Sequence, residues 1–192
     1  MPQVEVLVVA IHNDVLQSYS TIVTNAKLDA SFFEIEMFST PRALAEKSEA
    51  PMLIVDMGGL GTKVYIVDKG IIRTSHIISR GSRDITDAIA KSLQLDFAEA
   101  EKIKRHINLL NENDQKMVSD IITNSLDYVW SEIRTMMMNY QTKYSKAIHS
   151  VSIVGGGALL PSFAEVASKK LNVEAHLGMP FSRVTTPEII SK

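Results

Sequence analysis

The chain has 192 residues, 45% of them hydrophobic and 22% charged, with a net charge of −2, which suits one packed domain or two small ones. That charge gives no electrostatic argument for nucleic acid or an anionic membrane surface as a partner. The absence of cysteine excludes disulfides, thiolate metal sites and thiol nucleophiles, and no apolar run approaches the roughly 18 residues a membrane helix needs.

In chain order, the β-rich run Val4 to Ile11 predicts a buried strand. Asn13 is placed to cap a helix running to about Lys27, with Val15, Tyr19, Ile22 and Val23 on one stripe. Phe33, Ile35 and Met37 alternate with Glu34 and Glu36, predicting a second strand over Phe32 to Phe38. Thr40-Pro41 then opens a short helix to about Lys47, completing a βαβα unit whose boundary falls near Glu49 to Pro51.

A new strand, Met52 to Val55, runs into Asp56-Met57-Gly58-Gly59-Leu60-Gly61-Thr62. Lys63 to Val67 and Ile71 to Ile78 flank Asp68-Lys69-Gly70, the signature of a hairpin. Ser82 is placed to cap a helix carrying Ile85, Ala88, Ile89 and Leu93, and Asp96 with Glu99 forms a capping box for a helix from Phe97 to about Asn108. Asp114 opens a helix of roughly 30 residues reaching Lys143. Val151 to Val154 is a short strand before Gly155-Gly156-Gly157; a helix from near Pro161 to about Leu171 and a strand from Glu174 to Leu177 follow.

Two glycine-rich turns, each directly after a buried strand, carry the chemical signal. In the first, Gly58, Gly59 and Gly61 let backbone N–H donors approach a phosphate closely, and the hydroxyl of Thr62 adds a further donor. Asp56 beside that loop is a candidate to hold Mg²⁺ through its water shell. In the second, Gly155, Gly156 and Gly157 remove side chains where a flat group such as an adenine or its ribose would lie. Taken singly, the first loop reads equally as a glycine-rich hairpin and the second as a plain strand-to-helix connection. Neither is a G-x-G-x-x-G fingerprint or a P-loop.

In this order, with a helical insert between them, the turns resemble the actin-like ATPase superfamily, which includes actin, Hsp70 and sugar kinases. Asp56 to Thr62 resembles its second phosphate motif, and Val151 to Pro161 its adenosine motif. Glu101-Lys102-Ile103-Lys104 resembles its Glu-x-x-Lys, whose two side chains share a helix face and contact the nucleoside. Within the superfamily the likeness is to the PilM and FtsA branch. It runs through Ile54 to Ile78, Arg80 to Ala90 and Ala98 to Lys104, and takes in the opening segment from Val6 to Ala45.

The resemblance implies an α/β actin-like, ribonuclease H-like fold with a mixed sheet flanked by helices. Residues 1–49 would be part of subdomain 1C with a connecting helix. Residues 50–192 would be subdomain 2A with a reduced helical 2B insert at about 96–143. The implied cofactors are ATP and Mg²⁺. A full member opens with an Asp-x-Gly phosphate motif that this sequence lacks, so the chain is expected to be a C-terminal half, at most a weak ATPase. The implied role is that of an assembly protein of the type IV pilus inner-membrane platform. It would be cytoplasmic, reach the membrane only through the N-terminal tail of a PilN-like partner, and be open to self-association. An FtsA-like division protein and a sugar- or acetate-kinase-like enzyme are the alternatives. The five histidines, His12, His76, His106, His149 and His176, show no metal-ligand spacing, and Gly-x-Ser-x-Gly is absent.

Overall fold

The computed structural model describes residues 6, 8–44, 50–181 and 185. The chain divides into two compact units, residues 1–36 and 37–192.

In the first unit, helix α1 spans Asn13–Asn25, with His12 rather than Asn13 at the N-cap position. None of its residues is buried; Tyr19 contacts Phe33, with ring centroids 6.4 Å apart. The strand expected over Val4 to Ile11 does not form in the part described: Val6 and Val8 to Ile11 are exposed and irregular. Val4, Glu5 and Leu7 lie outside the described residues.

The strand expected over Phe32 to Phe38 is also corrected. The chain is irregular to Ile35 and then winds into helix α2, Glu36–Leu44, which contains Pro41. Met37, Pro41 and Leu44 stand at i, i+4 and i+7, a helical stripe. Met37 and Leu44 pack on the sheet described next. That burial outweighs the backbone hydrogen bond lost at Pro41. The far end of the helix expected from Pro41, near Lys47, lies outside the described residues.

The second unit is built on a five-stranded sheet of order β3-β2-β1-β4-β5. Its strands are β1 Met52–Met57, β2 Thr62–Asp68, β3 Ile71–Ile78, β4 Ser150–Val154 and β5 Ala175–Leu177. β1, β4 and β5 run parallel, while β2 is antiparallel to both β1 and β3. Leu53, Val55 and Met57 of β1, Val64 and Ile66 of β2, and Val151 and Ile153 of β4 belong to the main core. Alternate residues Met52, Ile54, Tyr65 and Val67 pack with Met37, Leu44 and Ile72 on the other face. Burial on both faces explains why β1 and β2 read as unbroken apolar runs.

Helices α3 (Ser82–Leu93), α4 (Phe97–Arg105), α5 (Glu112–Tyr144) and α6 (Phe163–Leu171) complete the unit. Asp96 caps α4 and Asn111, not Asp114, caps α5. α5 is about 50 Å long at 1.5 Å per residue. It buries Val129, Trp130, Ile133 and Met137 in the main core, with Trp130 against Phe163 at 5.4 Å.

Candidate functional site

Parallel pairing sets Asp56 beside Val154, so the turns after β1 and β4 leave the same end of the sheet, outside strand carboxyl ends. They touch there. A Cβ on Gly155 would lie 2.5 Å from the Met57 carbonyl and 2.6 Å from Asp56 Oδ1, and the residue has φ of +89°. A Cβ on Gly157 would lie 2.6 Å from Met57 Cγ. The three-glycine turn therefore packs directly on the end of β1.

The first turn is closed by Gly58 N–H donating to the Gly61 carbonyl at 3.0 Å. Its outer carbonyls are taken by the next helix: Ser82 N–H donates to Gly58 O and Arg83 N–H to Gly59 O, both at 2.9 Å. Gly81 makes this approach possible, since a Cβ there would meet those same carbonyls at 2.5 to 2.6 Å. Asp84 fixes the corner by accepting from Gly81 N–H at 2.8 Å and from Arg80 Nη1 at 2.7 Å. Burial works to raise the Asp84 pKa, but these bonds bring it below the usual carboxylate range. With the carbonyls so committed, the N–H groups of Gly59, Leu60 and Gly61 donate to no backbone acceptor among the described residues.

A cavity of about 470 Å³ opens at this point. Gly59 of the first turn, Gly156 and Gly157 of the second, and Glu101, Lys104 and Arg105 of α4 line it. Ser82 and the segment from Leu159 to Pro161 complete the wall. A Cβ on Gly59 or on Gly156 would meet nothing within 4 Å. The protein's own packing thus does not require glycine at either position.

The expected site residues fall into three groups. Gly59, Glu101, Lys104, Gly156 and Gly157 surround the one cavity. Gly58, Gly61 and Gly155 shape the backbone behind it, and Asp56 lies against Gly155. Thr62 departs from expectation: it starts β2 fully buried, paired with Ile78, and its hydroxyl donates to the Arg80 carbonyl at 2.8 Å. The proton expected for a phosphate is committed to the backbone.

Glu101 and Lys104 form a half-buried ion pair, with the lysine end buried, rather than a solvated helix face. Lys104 is 5% exposed. Its ammonium lies 2.7 Å from Glu101 Oε2, 2.7 Å from Thr86 Oγ1 and 3.0 Å from the Ser82 carbonyl. Thr86 donates to Glu101 Oε2 at 2.6 Å, and Arg105 Nε to Oε1 at 2.7 Å. Burial works to raise the Glu101 pKa, but bonds from Lys104, Thr86 and Arg105 overcome it and bring the carboxyl to about 2. Gly81, Ser82, Thr86 and Arg105 were not among the expected site residues. Arg105 adjoins Lys104 in sequence, and Gly81, Ser82 and Thr86 lie within Arg80 to Ala90, but nothing in the sequence pairs Thr86 with Lys104.

Among the described residues no three acidic or imidazole side chains converge to hold a metal, and no helix is long and apolar enough to cross a membrane.

The fold recurs in solved structures. The chain superposes on the PilM–PilN type IV pilus biogenesis complex with a TM-score of 0.75 and 21% identity, covering 90% of this chain and 49% of that one. On ethanolamine utilization protein EutJ from Carboxydothermus hydrogenoformans the TM-score is 0.72 at 22% identity, over 87% of this chain and 57% of that one. On MreB5 of Spiroplasma citri bound to ADP it is 0.69 at 14% identity, over 88% and 62%. The mixed sheet with its flanking helices is the fold of the actin-like ATPases. The family model of cell division protein FtsA matches residues 53–192, and the chain belongs to that family. Cell division protein FtsA of Buchnera aphidicola subsp. Baizongia pistaciae (strain Bp) is 24% identical, matching 80% of this chain and 43% of that protein. The chain spans about half the length of this FtsA protein and of the matched chain in the PilM–PilN complex.

Proposed function

We propose that the cavity between the two glycine turns binds ATP with Mg²⁺ and that the chain serves as a nucleotide-binding assembly protein. The observation that carries this reading is the open space at Gly59 and Gly156, where the Gly59 N–H donates to no backbone acceptor among the described residues. Phosphate oxygens satisfy such donors, and a nucleoside fills such a space. In this reading Gly58, Gly59 and Gly61 form the phosphate turn, Gly155 to Gly157 admit the adenosine, and Glu101 and Lys104 serve the ribose. Asp56 would hold Mg²⁺ through water, and the ion would neutralise phosphate charge. Thr62 holds the turn to Arg80 instead of touching the ligand. Titrating Mg·ATP to several millimolar while following backbone NMR signals tests the assignment. Shifts centred on Gly59, Gly156 and Gly157 are expected; shifts elsewhere, or none, would overturn it. Affinity is expected to be low, because a ligand lined from one side keeps much of its surface in water.

For the biological role we favour a PilM-type pilus-assembly function, supported by the superposition on the PilM–PilN complex. The segments would then be 1C for residues 1–49 and 2A for 50–192, with the helical insert at about 96–143 as 2B. The protein would work in the cytoplasm, reaching the inner membrane through a PilN-like tail that docks near residues 13–27. An FtsA-type division role is the second reading, favoured by the family match over residues 53–192. Fluorescence anisotropy with a labelled tail peptide of an inner-membrane pilus protein, against a C-terminal peptide of the tubulin-like division protein, separates the two.

A further inference from the structure

β3 forms one edge of the sheet and, at eight residues, is its longest strand; β5 at the other edge has three. An edge strand turns half of its backbone N–H and C=O groups away from its one neighbour. Among the described residues, no backbone group of β3 bonds the backbone of any element except β2. The strand reads Ile71-Ile72-Arg73-Thr74-Ser75-His76-Ile77-Ile78, with neither proline nor lysine to discourage a further strand. Ile77 is 69% exposed and Ile71 54% exposed.

The register on β2 makes this edge self-complementary. Ser75 stands opposite Tyr65, with Thr74 opposite Ile66 and His76 opposite Val64. Farther out, Ile72 stands opposite Val67 and Ile77 opposite Lys63, then Ile71 opposite Asp68 and Ile78 opposite Thr62. Measured on β2, Thr74 and His76 are each one residue from the Tyr65 position, Ile72 and Ile77 two, and Ile71 and Ile78 three. The symmetry exists because Arg73 is the extra residue of a β-bulge, which brings Ile72 one step nearer to Ser75 than the sequence alone would. The members of each pair also share a sheet face, since both lie the same number of steps along the pleat from Tyr65.

We propose that β3 pairs antiparallel with β3 of a second copy of this chain, about a two-fold axis through Ser75 and perpendicular to the sheet. Ser75 then meets its own counterpart, Thr74 of each copy faces His76 of the other, and Ile77 packs on Ile72. Ile71 meets Ile78 at the ends. The outward backbone groups of both edges are satisfied, the exposed Ile71 and Ile77 leave water, and two five-stranded sheets become one continuous sheet. A foreign strand would need only an open edge. The matched spacing of isoleucines on either side of Ser75 has a use only when β3 meets itself, as a two-fold interface requires. Eight residues a side fall short of the roughly 20–30 of a standard interface, so the dimer is weak and depends on concentration. None of this depends on the nucleotide reading of the cavity.

The chain contains no cysteine, so a single introduced thiol reports one distance. Residues facing each other across an antiparallel pair have Cα atoms about 4.5–5.5 Å apart, within disulfide reach. Ser75→Cys is therefore expected to oxidise to a covalent dimer at least about tenfold faster than Ile77→Cys, whose thiols would lie about 14 Å apart along the strands. Sedimentation of the wild-type chain from micromolar to millimolar concentration should show the average mass rising toward twice that of the monomer. Ile77→Lys, at an exposed position, should hold the mass at the monomer value with the urea midpoint unchanged. A wild-type mass that stays at the monomer value would overturn the proposal, as would equal oxidation rates for the two cysteine variants. Ile77→Lys that dimerises like the wild type would place the contact elsewhere and overturn it too. Should that variant lower the urea midpoint, the comparison of the two cysteine variants decides alone. A monomeric chain that takes up an extended foreign peptide along β3 would assign the edge to another partner and overturn the pairing of two copies.

Discussion

Gly155 and Gly156 are neighbours with opposite requirements. Gly155 has φ of +89° and no room for a side chain, since the Met57 carbonyl and Asp56 Oδ1 stand where a Cβ would be. Gly155→Ala is therefore expected to lower stability by about 1–3 kcal/mol, the range for overpacking a closed site, read as an earlier urea midpoint. Gly156 faces open space. Gly156→Leu is expected to leave the urea midpoint nearly unchanged while weakening nucleotide binding at least about tenfold by filling the cavity. A large drop in stability from the second variant would show that the open space is not there to be filled. At the same scale, Glu101 is held at about 2 against an ordinary 4.5. A carboxyl whose pKa falls on folding contributes stability that is full above its unfolded value and fades as pH drops toward its folded one. Acid titration of the melting temperature should accordingly show a decline between about pH 4.5 and 2, and Glu101→Gln should flatten it. The sequence made the glycines and the Glu-x-x-Lys legible because glycine spacing after a strand and i, i+3 pairs are local patterns. The commitment of Thr62 to Arg80 and of Thr86 to Lys104 was not legible, for each bond joins residues 18 apart and depends on how separate elements pack.

Among the elements, the β1–β2–β3 hairpins, α3, the capping box of α4, the long α5 and the β4 turn all follow from local patterns and form where the sequence places them. In the first 44 residues α1 also forms where the sequence places it, but the strand expected over Phe32 to Phe38 does not, and the reason is a matter of period. Three alternating apolar residues, Phe33, Ile35 and Met37, fit a strand, while Met37, Pro41 and Leu44 fit a helix through the same methionine. Alternation alone cannot choose between them; the choice is made by the sheet face that receives Met37 and Leu44. Tertiary tethering is equally plain at the β2–β3 turn. The Asp68 carboxylate is almost fully buried, with Lys146 Nζ at 2.6 Å and Arg73 Nε at 3.9 Å. Burial works to raise its pKa, but Lys146, Tyr140 and Arg73 bring it down overall. Burial first, and then the Asp68 charge, push the Tyr140 phenol up to about 12. Asp68→Ala frees Lys146, which is exposed enough to be rehydrated, so the loss is that of ordinary charged hydrogen bonds, about 1–3 kcal/mol. Hydrogen exchange should show the loss as faster opening of β3 and of the last turn of α5, with β1 and β4 little changed.

At the scale of the whole second unit, β1, β4, α3 and α4 meet at one cavity, so a ligand there binds the native arrangement and not the unfolded chain. Such a ligand adds RT ln(1 + [L]/Kd), about 1.4 kcal/mol at ten times Kd. For a chain of this size that corresponds to a rise of about 3–6 °C in the melting temperature. Asp56 sits at the junction of the two turns, against Gly155 and paired across the sheet with Val154. If its carboxylate orients Mg²⁺ and its waters, Asp56→Ala should weaken Mg·ATP about tenfold. At the same ligand concentration the stabilisation then falls to about 0.4 kcal/mol, a rise of roughly 1 °C. A carboxylate that serves only the turn gives the reverse pattern: the melting temperature without ligand drops, and the rise on adding Mg·ATP stays at its full size. Replacing Mg²⁺ by EDTA supplies the control, since a metal-orienting Asp56 predicts that wild type without Mg²⁺ behaves like Asp56→Ala with it. Melts of both proteins without ligand, with Mg·ATP and with ATP and EDTA decide the matter, and a variant that keeps the whole Mg·ATP shift removes the metal role from Asp56.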